Sequence, residues 1–146
     1  MLYISTRGQS APATFAEVLL EGLAPDGGLY IPETWPTFAP EEIQALVGKP
    51  YAHVAAEVLS RFTGDVFTRA QLDEMCADAY ATFAHPAVTP LRQLDADLWM
   101  LELHHGPTLA FKDVAMQILA RMYDAVLHGT GPVSYTHLTL PTIYSV

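Results

Sequence analysis

The chain of 146 residues contains only two lysines, Lys49 and Lys112, and their surroundings differ. Lys49 precedes Pro50 in a polar connection and reads as a solvated charge. Lys112 lies in Leu109-Ala110-Phe111-Lys112-Asp113-Val114-Ala115-Met116, between apolar neighbours and where a helix is expected to start. The helix dipole is positive at that end and disfavours a cation. A lysine held in such a place and partly desolvated is more readily the free amine, the form that attacks a carbonyl carbon. From spacing alone, a surface lysine with its stem laid along the fold is the more common case.

The loop before Lys112 adds to the case. His105-Gly106-Pro107-Thr108 places a flexible turn, a rigid turn and a hydroxyl just ahead of it. Small residues let a ligand approach the backbone, and Thr108 carries a hydrogen-bond donor. An ordinary β-to-α turn has the same composition. His104-His105 raises the question of a metal, but adjacent strand residues point to opposite faces and no Cys, Asp or Glu is read at ligand spacing beside them, so no metal site is expected. Cys76 falls among apolar neighbours in a predicted helix and reads as a small core residue. Arg7, before Gly8, fits either an anion contact or a solvated turn.

These residues need elements to position them. Leu2 to Ser5 reads as a short strand. Thr14 and Glu17 form a capping box for a helix that places Phe15, Val18 and Leu19 on one face, and Gly22 suits its end. Ala24-Pro25-Asp26-Gly27-Gly28 reads as a tight turn, followed by a brief strand from Leu29 to Ile31 that Pro32 stops. Pro32 to Pro40, with three prolines, is a connector. Helices are expected over about Pro40 to Val47, Pro50 to Phe62 and Arg69 to Phe83, the last capped by Thr68 and Gln71. Leu91 to Leu94 and Leu98 to Leu103 flank Asp95-Ala96-Asp97 and suggest a strand pair, or one strand entered from a turn. The final helix, about Asp113 to Leu127 and closed by Gly129, sets Val114, Ile118, Met122 and Val126 on one face. In an α/β layer that face is expected to pack on the strand around Leu98 to Leu103.

Composition narrows the function. Apolar residues make up 51% and charged residues 16%, so most of the chain has apolar surface enough to fold. Seven basic against sixteen acidic residues give a net charge of −9, which disfavours nucleic acid and anionic membrane surfaces as partners. One cysteine excludes an internal disulfide. Neither a membrane span nor a signal peptide is legible, and a cytoplasmic location is expected.

Three segments together resemble the threonine synthases, pyridoxal-phosphate enzymes of the tryptophan-synthase-β-like fold. They are Leu2-Tyr3-Ile4-Ser5-Thr6-Arg7-Gly8, Glu21 through Pro32 (EGLAPDGGLYIP), and Leu101 through Asp113 (LELHHGPTLAFKD). Dehydratases and cysteine synthases share a lysine before a helix but not the first two segments. The resemblance implies a carbon-oxygen lyase acting on phosphate, in the last step of threonine biosynthesis. Its substrates would be O-phospho-L-homoserine and water, its products L-threonine and phosphate. The cofactor would be pyridoxal 5'-phosphate, held by Lys112 as a Schiff base. Phe111 and Asp113 would flank and position Lys112 at the cofactor, and Thr108 and His105 are candidates for substrate or cofactor contact.

The expected fold class is α/β, mixed as a fragment. Residues 1–90 would form a helical N-terminal module with short strands, and residues 91–130 the start of the cofactor-binding β-loop-α unit. Residues 131–146 are expected to be an atypical tail foreign to the family, resembling sequencing-adapter read-through, with the chain truncated and inactive by itself. The alternatives are another enzyme of the same fold, such as a threonine or serine dehydratase, and a non-catalytic interaction module. Oligomeric state is not legible.

Overall fold

The computed structural model describes residues 1–129, and the expected foreign tail at 131–146 lies outside the described residues. The chain begins with a small antiparallel sheet built from β1 (Leu2–Ser5), β2 (Ala13–Thr14) and β3 (Tyr30–Pro32) in the order β2-β1-β3. Contrary to expectation, Pro32 belongs to its strand, opposite Tyr3. This is possible because β3 lies at the sheet edge, where a missing N–H interrupts no ladder. Between β2 and β3 runs α1 (Phe15–Glu21), with the full capping box: the Glu17 amide donates to Thr14 Oγ1 at 3.5 Å and the Thr14 amide to Glu17 Oε2 at 2.7 Å.

Three helices follow the proline-rich connector: α2 (Pro40–Ala45), α3 (Tyr51–Thr63) and α4 (Arg69–Tyr80). The expected order holds, with α2 and α4 each ending two or three residues early. Glu57 of α3 pairs with Arg69 of α4, and Arg69 Nε also donates to Asp73 Oδ2 at 3.0 Å. Beneath this polar seam lies the core, where Leu19, Ala56, Phe67, Leu72, Cys76 and Ala79 meet Ile118 and Met122 of the last helix. Cys76 is fully buried, and desolvation pushes its thiol up to about 11, so it serves as packing.

The second half is built differently. Strands β4 (Leu91–Asp95) and β5 (Leu98–Leu101) form an antiparallel hairpin with an irregularity between Gln93 and Asp95. Every residue of both strands is exposed. The last helix, α5 (Asp113–Gly129), carries its apolar face as expected, with Ile118 and Met122 buried and Val126 packed against them. Its partner is different from the one expected. It packs on α4 and α1, not on the strand around Leu98 to Leu103, because those helices offer the larger complementary apolar surface. Tyr80 fixes the entry of α5 by donating from its hydroxyl to the Val114 carbonyl at 3.2 Å. The fold is mixed α/β, a helical body with a small sheet at one end and an uncovered hairpin.

Candidate functional site

Lys112 sits directly before α5, and its carbonyl accepts the amides of Ala115 at 3.1 Å and Met116 at 2.8 Å, which opens the helix. The amine stands free, making no hydrogen bond or ion pair among the described residues. Lys112 is exposed, so the expected partial desolvation is absent from this chain. Phe111 is likewise 66% exposed and Leu109 69%. The physical reason is the open hairpin: the described residues place no second layer over this face.

What holds the lysine loop is Asp113. Its carboxylate is buried at 4% exposure, with Oδ2 accepting the Thr108 amide and Oδ1 the Thr108 hydroxyl, both at 2.8 Å. Residues 108 to 113 are thereby closed into a ring just before the helix. Gly106 completes it, since a Cβ there would come within 2.5 Å of Asp113 Oδ2, nearer than any side-chain carbon can sit. Leu109, at the loop's tip, adopts φ 61°, a left-handed conformation that costs a non-glycine residue energy and needs such closure to persist. Asp113 therefore positions the loop through Thr108, and the Thr108 hydroxyl proton is already committed to it.

His105 is tied in from the other side. Its carbonyl accepts the Ala84 amide at 2.8 Å, and its Nε2 lies 2.8 Å from Glu102 Oε2. The His105 pair is the main reason the Glu102 carboxyl is held below its ordinary range. The chain leaves β5 at Leu101, so residues 102–105 are irregular and not extended strand. Both grounds for expecting no metal site therefore fail: the two histidines are not on a strand, and Glu102 does reach them. The His104 and His105 rings lie on the same side, with centroids 4.5 Å apart, and His85 stacks on His105 at 5.1 Å. Sequence spacing gave no sign of Glu102 or His85 as neighbours of this loop, because an irregular backbone brings them in.

The two N-terminal segments meet in a separate clasp. Asp26 Oδ1 accepts the Ser5 hydroxyl at 2.7 Å and the Gly28 amide at 2.9 Å, while Oδ2 accepts the Gln9 amide at 3.0 Å. These bonds, Ser5 first, hold its carboxyl down at about 2. Arg7 donates to the Asp26 carbonyl at 2.9 Å and lies against Gly27, so it braces the turn. Gly28 is obligatory, since a Cβ would overlap Ser5 Oγ.

A family model described as "Threonine synthase N terminus" matches residues 2–80, more than half of the chain. The chain belongs to the threonine synthase family. The likeness extends past the lysine loop. The threonine synthase of Pseudomonas aeruginosa is 51% identical over 131 residues, covering 90% of this chain and 28% of that protein. Among solved structures, a PLP-bound threonine synthase from Brucella melitensis superposes with a TM-score of 0.86 at 55% identity, over 90% of this chain and 28% of the other. The yeast threonine synthase gives 0.81 at 34% identity, over 88% and 27%. The chain thus spans somewhat over a quarter of the length of the threonine synthases it matches. Within it, the first two segments singled out in the sequence build the Asp26 clasp, and the third carries the lysine loop.

Proposed function

We propose that this chain supplies the lysine-bearing N-terminal part of a pyridoxal-phosphate-dependent threonine synthase, which converts O-phospho-L-homoserine and water to L-threonine and phosphate. The observation that carries the reading is the free amine of Lys112, set at the start of α5 by a loop that Asp113 and Thr108 lock. The residues present suit covalent attachment of an aldehyde cofactor: one amine without a partner among the described residues, on a loop closed by hydrogen bonds, with its neighbouring acid engaged elsewhere. When bound, pyridoxal phosphate supplies the electron sink for a substrate carbanion.

The chain's own residues divide the work as follows. Lys112 is the group that holds the cofactor, and once freed its amine carries protons to and from the substrate's Cα and Cβ. Asp113 and Thr108 keep that amine in place, and Gly106 allows the close approach. Phe111, being exposed, is available to pack against the cofactor in a covered site. His105 is in reach of the same face as a contact for substrate. Residues 1–90 act as the N-terminal module and 91–130 as the start of the catalytic domain, a division supported by the change from buried helices to an uncovered hairpin. A cytoplasmic enzyme acting on a small phosphorylated amino acid, without nucleic acid or membrane as partner, fits the charge of −9. No helix among the described residues is long and apolar enough to cross a membrane.

The test joins residues 1–128 to the remaining part of the Pseudomonas aeruginosa enzyme, adds the cofactor and reduces with borohydride. Peptide mapping should find the label on Lys112 and not on Lys49. Lys112→Ala should abolish threonine formation without lowering the melting temperature, since its side chain is exposed. Label on Lys49, or turnover surviving in Lys112→Ala, would overturn the assignment.

A further inference from the structure

We propose that Glu102, His104 and His105 form a binding site for one divalent transition-metal ion of the zinc class. Each offers one ligand atom, and the three atoms lie within 4.8 Å of one another. Ligand atoms around a tetrahedral ion with bonds of about 2.0–2.2 Å stand roughly 3.3 Å apart. Glu102 Oε2 and His105 Nε2, at 2.8 Å, need to separate by only a few tenths of an ångström to admit it. Two imidazoles and one carboxylate suit Zn²⁺, Co²⁺, Ni²⁺ and Cu²⁺, and they suit Mg²⁺ and Ca²⁺ poorly. Three protein ligands leave a fourth position for water, the pattern of an open site.

The surroundings prepare it. The Glu102 and His105 side chains are 16% and 18% exposed, so this edge is largely shielded, while exposed His104 leaves an entry path. Glu102 turns Oε2 toward His105, while its Oε1 lies 3.8 Å from the exposed Arg92 Nη1. The Glu102 amide donates to the Pro90 carbonyl at 3.0 Å, and the Ala84 amide to that of His105 at 2.8 Å, so both ends of the tripod are anchored. His85 packs on the outer face of His105, its Nδ1 taken by the Ala87 amide. His104 makes no hydrogen bond among the described residues, so both its ring nitrogens are available apart from its contact with His105.

The experiment uses the untagged 146-residue chain without pyridoxal phosphate. Co²⁺ is titrated and followed by its visible absorption, and Zn²⁺ is measured by competition with a chromophoric chelator. One ion should bind per chain, and a large excess of Mg²⁺ should not displace it. His104→Phe keeps a ring against His105 and removes one ligand, and Glu102→Gln keeps the hydrogen bond to His105 and removes the charge. Each should weaken binding at least about tenfold, the smallest loss seen when even a supporting group of a metal site is removed. His53→Ala, which removes the imidazole near Asp73, and Lys112→Ala should bind as the parent does. Circular dichroism confirms that each variant is folded. The proposal is overturned if binding does not saturate, if His104→Phe and Glu102→Gln bind as tightly as the parent, or if His53→Ala is the variant that loses the ion. Because neither the Lys112 amine nor the cofactor takes part in holding the ion, failure here leaves the lysine assignment standing, and the reverse also holds.

Discussion

Asp113 decides whether Lys112 is held or merely present. One carboxylate oxygen takes the Thr108 amide and the other its hydroxyl, and both lie in a buried place beside Gly106. Asp113→Asn presents an NH₂ to one of these donors and loses a hydrogen bond to a charged group, at a cost of about 1.5–3 kcal/mol. The variant should melt lower, and hydrogen exchange should rise first at the amides of residues 108 to 113. The N-terminal clasp gives a prediction in pH. Asp26 is held at about 2 against an ordinary 3.8, so its ionised form stabilises the fold fully above pH 4 and loses that contribution as pH falls through about 2. Ser5→Ala removes the largest of its hydrogen bonds. The gap in melting temperature between parent and Ser5→Ala should be wide at about pH 5 and should narrow toward about pH 2; a gap independent of pH would show that Asp26 does not carry it. The sequence singled out Lys112 by type and place and Thr108 by the loop before it, and pointed to Asp113 only through the family resemblance. It hid their mutual bond, because a loop closing on itself across five residues leaves no periodic trace. It also overstated burial around Lys112, since apolar neighbours in a chain say nothing about what covers them in space.

At the level of elements, signals carried within a few residues were the most legible. Both capping boxes form as the spacing of Thr14 with Glu17 and Thr68 with Gln71 requires, and Gly22 and Gly64 end their helices at φ 73° and 59°. Thr68→Ala should cost about 1 kcal/mol, the usual loss for an N-cap, read as a lower urea midpoint. The apolar face of α5 was equally plain from its period, but its partner was not. Period states which side of a helix is buried and is silent on what buries it, and here α4 and α1 take the place expected for the strand. Met122 is 3% exposed in that shared core, so Met122→Ala should cost about 2–5 kcal/mol. A matching substitution at the hairpin, Met100→Ala at 48% exposure, should cost far less. If α5 packed on β5, the two losses would be comparable, and equilibrium urea unfolding of the pair separates the cases.

The whole molecule is uneven in a way that follows from its share of a longer family fold. Residues up to Tyr80 and the face of α5 enclose a core, whereas Leu91, Leu94, Leu98, Trp99, Met100 and Leu101 stand 48–64% exposed on a two-stranded hairpin. Leu109 and Phe111 of the lysine loop extend this surface. A hairpin alone is marginal in water, and this one gains little from burial. It is therefore expected to be the first part to open, with the lysine loop next to it. Trp99 reports on it directly. In Trp35→Phe, which leaves Trp99 as the sole tryptophan, emission should be that of a water-exposed indole and should be readily quenched by acrylamide. Far-UV circular dichroism should meanwhile show the helices intact. Heating should change the Trp99 signal before the helical signal, because the two halves share few contacts through the hairpin. Joining residues 1–128 to the remaining part of a threonine synthase should shift the emission to the blue and merge the two transitions into one. A Trp99 already shielded in the 146-residue chain, or one that melts together with the helices, would mean that the hairpin is buried by something within this chain, and the lysine loop would then be covered without any further part of the fold.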